Sequence, residues 1–123
     1  MSRDGSRGSA LPLVVALWAA ASPALALDLA GQGYRKLAGP AIREAFVGRT
    51  FTDGTHFSTR YHADGTIDGM NMGKKIASRW AIVDDELCVT NRFGEFCYAV
   101  WKKGSDVQLV YGDSDTTLYG YLQ

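Results

Sequence analysis

Cysteine is scarce in this chain, with only Cys88 and Cys97 among 123 residues. That excludes a cysteine-rich scaffold, and if the two are bonded neither thiol is left as a metal ligand or nucleophile. Histidine is equally scarce. His56 and His62 stand six apart in one strand-like segment, so they are separated by about 20 Å of extended chain and cannot chelate one ion through bonds of about 2 Å. An excess of one charge is missing too: 13 Lys and Arg balance 13 Asp and Glu. The electrostatic footprint of a nucleic-acid binder or a polybasic membrane-surface protein is therefore absent. There is no Gly-rich phosphate loop, no nucleophile elbow and no Ser-His-Asp order. Glu44, Glu86 and Glu95 are the only glutamates, and each falls on an expected surface or turn rather than as half of a carboxylate pair of the glycosidase kind. The expectation is a protein that is not an enzyme and calls for no metal or cofactor.

The longest apolar run lies at the start. Met1 to Gly8 carries Arg3 and Arg7, Leu11 to Ala21 is nearly uninterrupted in its apolar character, Pro23 breaks it, and Ala24-Leu25-Ala26 offers small residues to a signal peptidase. Residues 1–26 are expected to be a cleaved signal peptide, since the run is well short of the roughly 20 residues that span a bilayer. No cysteine follows the cleavage point and no twin arginine precedes it, which implies the general secretory route and no membrane anchor afterwards. Arg3, Arg7 and Asp4 leave with the leader, so the charge of residues 27–123 moves from zero to about −1. They are enough for one domain with a modest core that gains from a covalent staple. An oxidising compartment, periplasmic or extracellular, permits one.

Leu27 to Ala38 shows no sustained period and reads as a loosely held surface lead-in. At Gly39-Pro40 the pattern changes. Pro suits the first helical position, Ile42, Ala45 and Phe46 recur at helical spacing, and Gly48 stands where a helix stops, so a two-turn helix is predicted over about 40–47, its stripe capping one end or flank of the remainder. From Arg49 onward every segment is strand-like: 49–52, 55–62, 66–72, 75–83, the pair of arms around residues 91–94, 106–111 and 116–122. Turn signals recur at roughly 8 to 12 residues. The expected class is all-β with one short N-terminal helix, an antiparallel meander of seven or eight strands curled into a small barrel or half-barrel, since closure removes exposed edges. Gly69 and Gly120, inside strand patterns, fit bends or bulges.

Glu86 to Lys103 organises the domain. Asn91-Arg92-Phe93-Gly94 makes a four-residue hairpin loop that pairs Thr90 with Glu95, Val89 with Phe96, Cys88 with Cys97 and Leu87 with Tyr98. The sulfurs then stand opposite each other at disulfide distance. Leu87, Val89, Phe96, Tyr98 and Val100 share one face, Cys88, Thr90, Glu95, Cys97, Ala99 and Trp101 the other. A three-residue loop with Gly94 as a bulge would shift the register by one and part the cysteines. The symmetric register is preferred.

Asp64-Gly65-Thr66-Ile67-Asp68-Gly69 invites a calcium reading, but Thr66 and Lys75 occupy the third and twelfth positions where ligands are needed, so it reads as a turn. Asp84, Asp85 and Glu86 read as a solvated corner, and Lys74, Lys75 and Arg79 as a solvated edge that resists pairing. The aromatics are more suggestive. Tyr61, Trp80 and Tyr98 are placed on strands that face a common interior, where they either fill the core or line a cavity for a small apolar ligand.

At YHADGT, SRWAIVDDELCV and CYAVWKKG the chain resembles a family of small exported proteobacterial proteins of unknown function, the likeness running from Leu37 to about Leu122. Those relatives have a short helix opening like LAGPAIREAFVGRTF, a strand ending Tyr-x-x-Asp-Gly, a Trp strand, a Leu-Cys strand and a second Cys beside an aromatic. The resemblance implies fold and export and assigns no catalytic residue. Two function classes follow. One is an exported β-barrel binding a small ligand, in the broad manner of lipocalin-like barrels. The alternative is an interaction or inhibitor module for an envelope protein, acting through a loop or the Lys74-Lys75 turn.

Overall fold

A computed structural model describes residues 28–112 and 116–123; the leader read at 1–26 lies outside them. A two-residue strand β1 (Arg35–Lys36) precedes helix α1 (Gly39–Phe46) and eight further strands: β2 (Thr50–Thr52), β3 (Phe57–Tyr61), β4 (Thr66–Asn71), β5 (Lys74–Val83), β6 (Glu86–Asn91), β7 (Gly94–Lys103), β8 (Asp106–Tyr111) and β9 (Thr117–Leu122). From β2 to β9 each strand pairs antiparallel with the next, and β9 pairs back onto β2 through Phe51↔Leu122 and Thr52↔Tyr121. The meander is thus a closed eight-stranded barrel, with β1 an extra strand on β7. Strand ends fall within two residues of expectation, the margin at which boundaries are commonly defined. One consequence is that His56 and His62 flank β3 instead of lying in it.

Closure follows from the turns. The β6–β7 register is the symmetric one, Leu87↔Tyr98 through Thr90↔Glu95 with Cys88 opposite Cys97, and the two sulfurs are bonded. In the β5–β6 turn Asp84 and Asp85 both take positive φ, 49° and 59°, the handedness that matches strand twist. Asp tolerates it better than most residues. Gly69, with φ 147°, lies where a Cβ would collide with the Ser58 carbonyl oxygen, and at Gly120 a Cβ would come 2.6 Å from the Phe51 ring. The β3–β4 ladder runs through Gly69 without interruption, so these glycines mark close approach rather than bulges. That corrects half of the expectation for them.

In a meander alternate turns fall at opposite ends. Turns 62–65, 84–85 and 104–105 share one end with α1, and turns 53–56, 72–73 and 92–93 share the other. The helix plugs its end: Ile42 and Phe46 are fully buried in the core with Phe51, Tyr61, Trp80, Leu87, Val100 and Val107. The Phe46 ring meets Tyr61 edge to face at 4.9 Å and Phe51 at 5.9 Å, and Tyr61 meets Trp80 at 5.5 Å. Ala38 supplies no side-chain cap. Instead the Asp85 carboxylate accepts the Gly39 N–H at 2.7 Å, satisfying one of the orphan donors of the first turn. Asp85 is therefore a fastening between the β5–β6 turn and the helix, not only a solvated corner. At the other terminus Gly48, at φ 74°, donates to the Tyr61 carbonyl at 2.8 Å.

The lead-in is not loose. Residues 28–33 wind into a turn, Tyr34 N–H donating to the Leu29 carbonyl at 2.9 Å, and β1 pairs Arg35 with Lys102 and Lys36 with Trp101. Leu29 and Leu37 are buried, and Leu37 joins the core. This corrects both the surface lead-in and the start of strand structure at 49. Strand β6 ends its pairing with β7 at Leu87↔Tyr98, leaving the remainder of that edge of β7 for β1 to cover.

Candidate functional site

Inward positions follow from the register, because partners in a ladder share a face. Trp80, Val89 and Phe96 form one row, and Ile82, Leu87, Tyr98 and Tyr111 another. Leu109, in the core, pairs with Leu118, and Gly69 pairs with Ile76. Along β7, β8 and β9 the inward residues become more exposed away from the helix. Val100 is fully buried, Tyr98 and Phe96 are half-buried, and Tyr111 and Leu118 are 47% and 42% exposed. Among the described residues the end opposite α1, the mouth, is thus the less filled of the two. One wall is aromatic: Tyr111 lies 5.7 Å from Tyr98 and 6.1 Å from Phe96, ring to ring. The facing wall, from β4 to β6, is more polar, with Asn71, Lys74, Ile76, Ser78 and Asn91 at inward positions. Burial, with Tyr111 beside it, raises the Tyr98 phenol above its ordinary pKa.

Of the three aromatics singled out in the sequence, two lie within the core and the third, Tyr98, packs against it from its half-buried position. Tyr61 and Trp80 pack edge to face in the filled half. The Trp80 indole N–H donates to the His62 carbonyl at 2.9 Å, and the Arg43 guanidinium lies 5.4 Å over its ring. Burial raises the Tyr61 phenol far above its usual range, so it stays neutral. Tyr98 borders both halves, packing against the core and meeting the Tyr111 ring. The hairpin register had already set Phe96 on the same face, whereas Tyr111 and Leu118 were not joined to it from the sequence. The signal was present, since carrying the register across the turn at Gly104-Ser105 sets Tyr111 opposite Tyr98.

The polar candidates are occupied by turn duties. The Asp53 carboxylate accepts the N–H groups of Thr55, His56 and Phe57 and touches His56 Nδ1 at 2.8 Å. The bond from Thr55 leads in holding that acid well below the usual carboxylate range. Asp64 accepts from the Thr66 hydroxyl and N–H, which lowers it as well. His62 Nε2 meets Asp68 at 3.1 Å. Cys88, Cys97 and Glu95 form a tight group, but both sulfurs are spent in their bond and cannot donate as thiolates. Cys97 stands between Phe96 and Tyr98, with its side chain on the outer face, so the disulfide braces the strand that carries two of the mouth aromatics.

Comparison with known protein families, with curated proteins and with solved structures finds no match to this chain.

Proposed function

We propose that this is an exported, non-enzymatic binding protein that takes one small apolar molecule, aromatic in part, into the open end of its barrel. The observation that carries the reading is the half-exposed cluster of Phe96, Tyr98 and Tyr111 on the inner surface of a barrel whose other end is filled. Aromatic walls favour a flat ligand through offset or edge contacts. The interior of an eight-stranded barrel is just wide enough for side chains or one small ligand, which argues against a protein segment at that surface. Asn71 and Ser78 opposite supply the few polar groups that orient a bound molecule. The bonded cysteines support export, because such bonds form and persist in oxidising compartments. No described helix is long and apolar enough to cross a membrane.

A second reading has its own observation. Met72 and Phe93, at the tips of two turns beside the mouth, are 69% and 75% exposed, and exposed apolar side chains at a rim suit a protein partner in the envelope. The test is a fluorescence titration with 1-aminoanthracene, a neutral aromatic probe. Saturable 1:1 binding is expected, weakened at least about tenfold, or ~1.4 kcal/mol, by Phe96→Ala with Tyr111→Ala and unaltered by Met72→Ser with Phe93→Ser. Absence of saturable binding, or indifference to the first pair, overturns the ligand reading.

A further inference from the structure

We propose that a second site, at the opposite end of the barrel, binds a small organic oxyanion with two negative charges on a short apolar body. Lys102 carries the argument. Tyr98, Val100 and Lys102 occupy successive inward positions of β7, and Lys102 stands between the fully buried Val107 on β8 and Arg35 on β1. The barrel pattern calls for an apolar residue there, yet the position holds a lysine that is itself half-buried. Directly opposite it is another cation, and like charges facing each other across an antiparallel pair are destabilising. Arg49, entering β2, lines the same groove. Among the described residues none of these three side chains has a hydrogen-bond or ion-pair partner. Glu44 is the only acid of the lining and is bridged to none of them. Three positive charges less one negative leave the groove at +2, which a dianion would neutralise.

Shape and chemistry agree with that charge. The groove holds about 460 Å³ between α1 and the β7–β8 turn, a volume within the usual range for small-molecule sites. The buried Leu37 and Leu122 are among its lining residues, and so is Ser105. Guanidinium groups present planar forks to phosphate or carboxylate oxygens, while an ammonium acts as a compact point charge. Phosphate monoesters and dicarboxylates share the required chemistry.

The test is a nuclear magnetic resonance titration of the whole protein in roughly 20 mM salt, where screening is weak. Phenyl phosphate and phthalate serve as the two anionic probes and benzyl alcohol as the neutral control. Saturable shifts are expected at the Leu37, Ala45 and Ser105 amides with one or both anions and not with the alcohol, and the stronger anion identifies the head group. Arg35→Gln should weaken binding at least about fivefold and Lys102→Met about tenfold, through loss of charge-assisted bonds. Glu44→Gln, removing the one acid, should tighten it, an outcome that misfolding cannot imitate. Unsaturable shifts, equal response to benzyl alcohol, or affinity indifferent to both Arg35→Gln and Glu44→Gln would overturn the proposal. The site is independent of the mouth, so 1-aminoanthracene binding should be unaltered by these variants.

Discussion

The two ends of this barrel are built from the same alternating strands and end differently. At one, α1 and Leu37 fill the inner rows until Phe46, Tyr61 and Trp80 interlock edge to face. At the other the rows continue into Phe96, Tyr98, Tyr111 and Leu118, with no helix over them among the described residues. Eight strands enclose a fixed interior, and eight helical residues supply bulk for only part of it. The filled half then stabilises the fold, and the open half is free to answer to something other than stability. Division of labour between the ends is a testable statement, because truncating a ring should have unequal costs in the two halves.

The largest expected effect is at the plug. Phe46→Ala should cost about 3–5 kcal/mol, as burial and cavity terms add for a fully buried ring. At about 4–8 °C per kcal/mol for a domain of this size, the melting temperature should fall by at least roughly 12 °C. Tyr111→Ala, at a ring 47% exposed, should cost about 1 kcal/mol or less. Thermal unfolding of the two variants side by side decides the matter. Equal losses would mean that the mouth is as much core as the plug, and the comparison would fail.

Next in size is the disulfide, which ties β6 to the part of β7 that carries Phe96 and Tyr98. Its closed loop of ten residues, Cys88 to Cys97, corresponds to about 2.7 kcal/mol in the chain-entropy account. Cys88→Ala with Cys97→Ala should therefore lower the melting temperature by roughly 10–20 °C. The fold should survive, since the turn and the Leu87, Val89, Phe96 and Tyr98 rows still set the register. Hydrogen exchange would sharpen the comparison: amides of β6 and β7 around the mouth should lose more protection than those of α1. A uniform loss would place the bond in service of the whole barrel instead.

How much of this could be read beforehand depended on how local the cause was. The β6–β7 register was legible because a symmetric turn fixes every pair outward from Asn91 and Gly94. The helix was legible from Pro40, from Gly48 and from the spacing of Ile42 and Phe46. Strand β1 was not, because two residues have no period and its partner Trp101 lies far along the chain. The Asp85 cap was hidden for the same reason, donor and acceptor being 46 residues apart. As for the site, Tyr98 could be picked out as an inward aromatic, but its neighbours come from β8 and β9, and joining them required the register of two further hairpins. Tyr61 and Trp80 shared every sequence property with Tyr98. Only their position relative to the helix separates core from mouth.

The smallest expected effect concerns acid, and it sets a turn at the open end against the barrel itself. Asp53 holds the β2–β3 turn by accepting three backbone N–H groups and the His56 ring, and those bonds, led by that from Thr55, keep its carboxyl well below the usual range. A carboxyl depressed in the folded state contributes stability that is complete above its unfolded pKa of about 4 and is lost as pH falls through the folded value. Melting temperature should consequently decline as the pH is lowered below about 4, the loss continuing into strong acid because the folded carboxyl is so depressed. Asp53→Asn cannot titrate and keeps one acceptor oxygen for the turn. The variant should be less stable than the parent at neutral pH and should show a shallower decline on acidification. Parallel curves for the two proteins would remove Asp53 from the account, leaving the acid response to Asp64, which Thr66 lowers at the helix end. Because the bonds of Asp53 are local, amides of residues 53–57 should open first in acid while those of α1 remain protected, and melting of both ends together would contradict their independence.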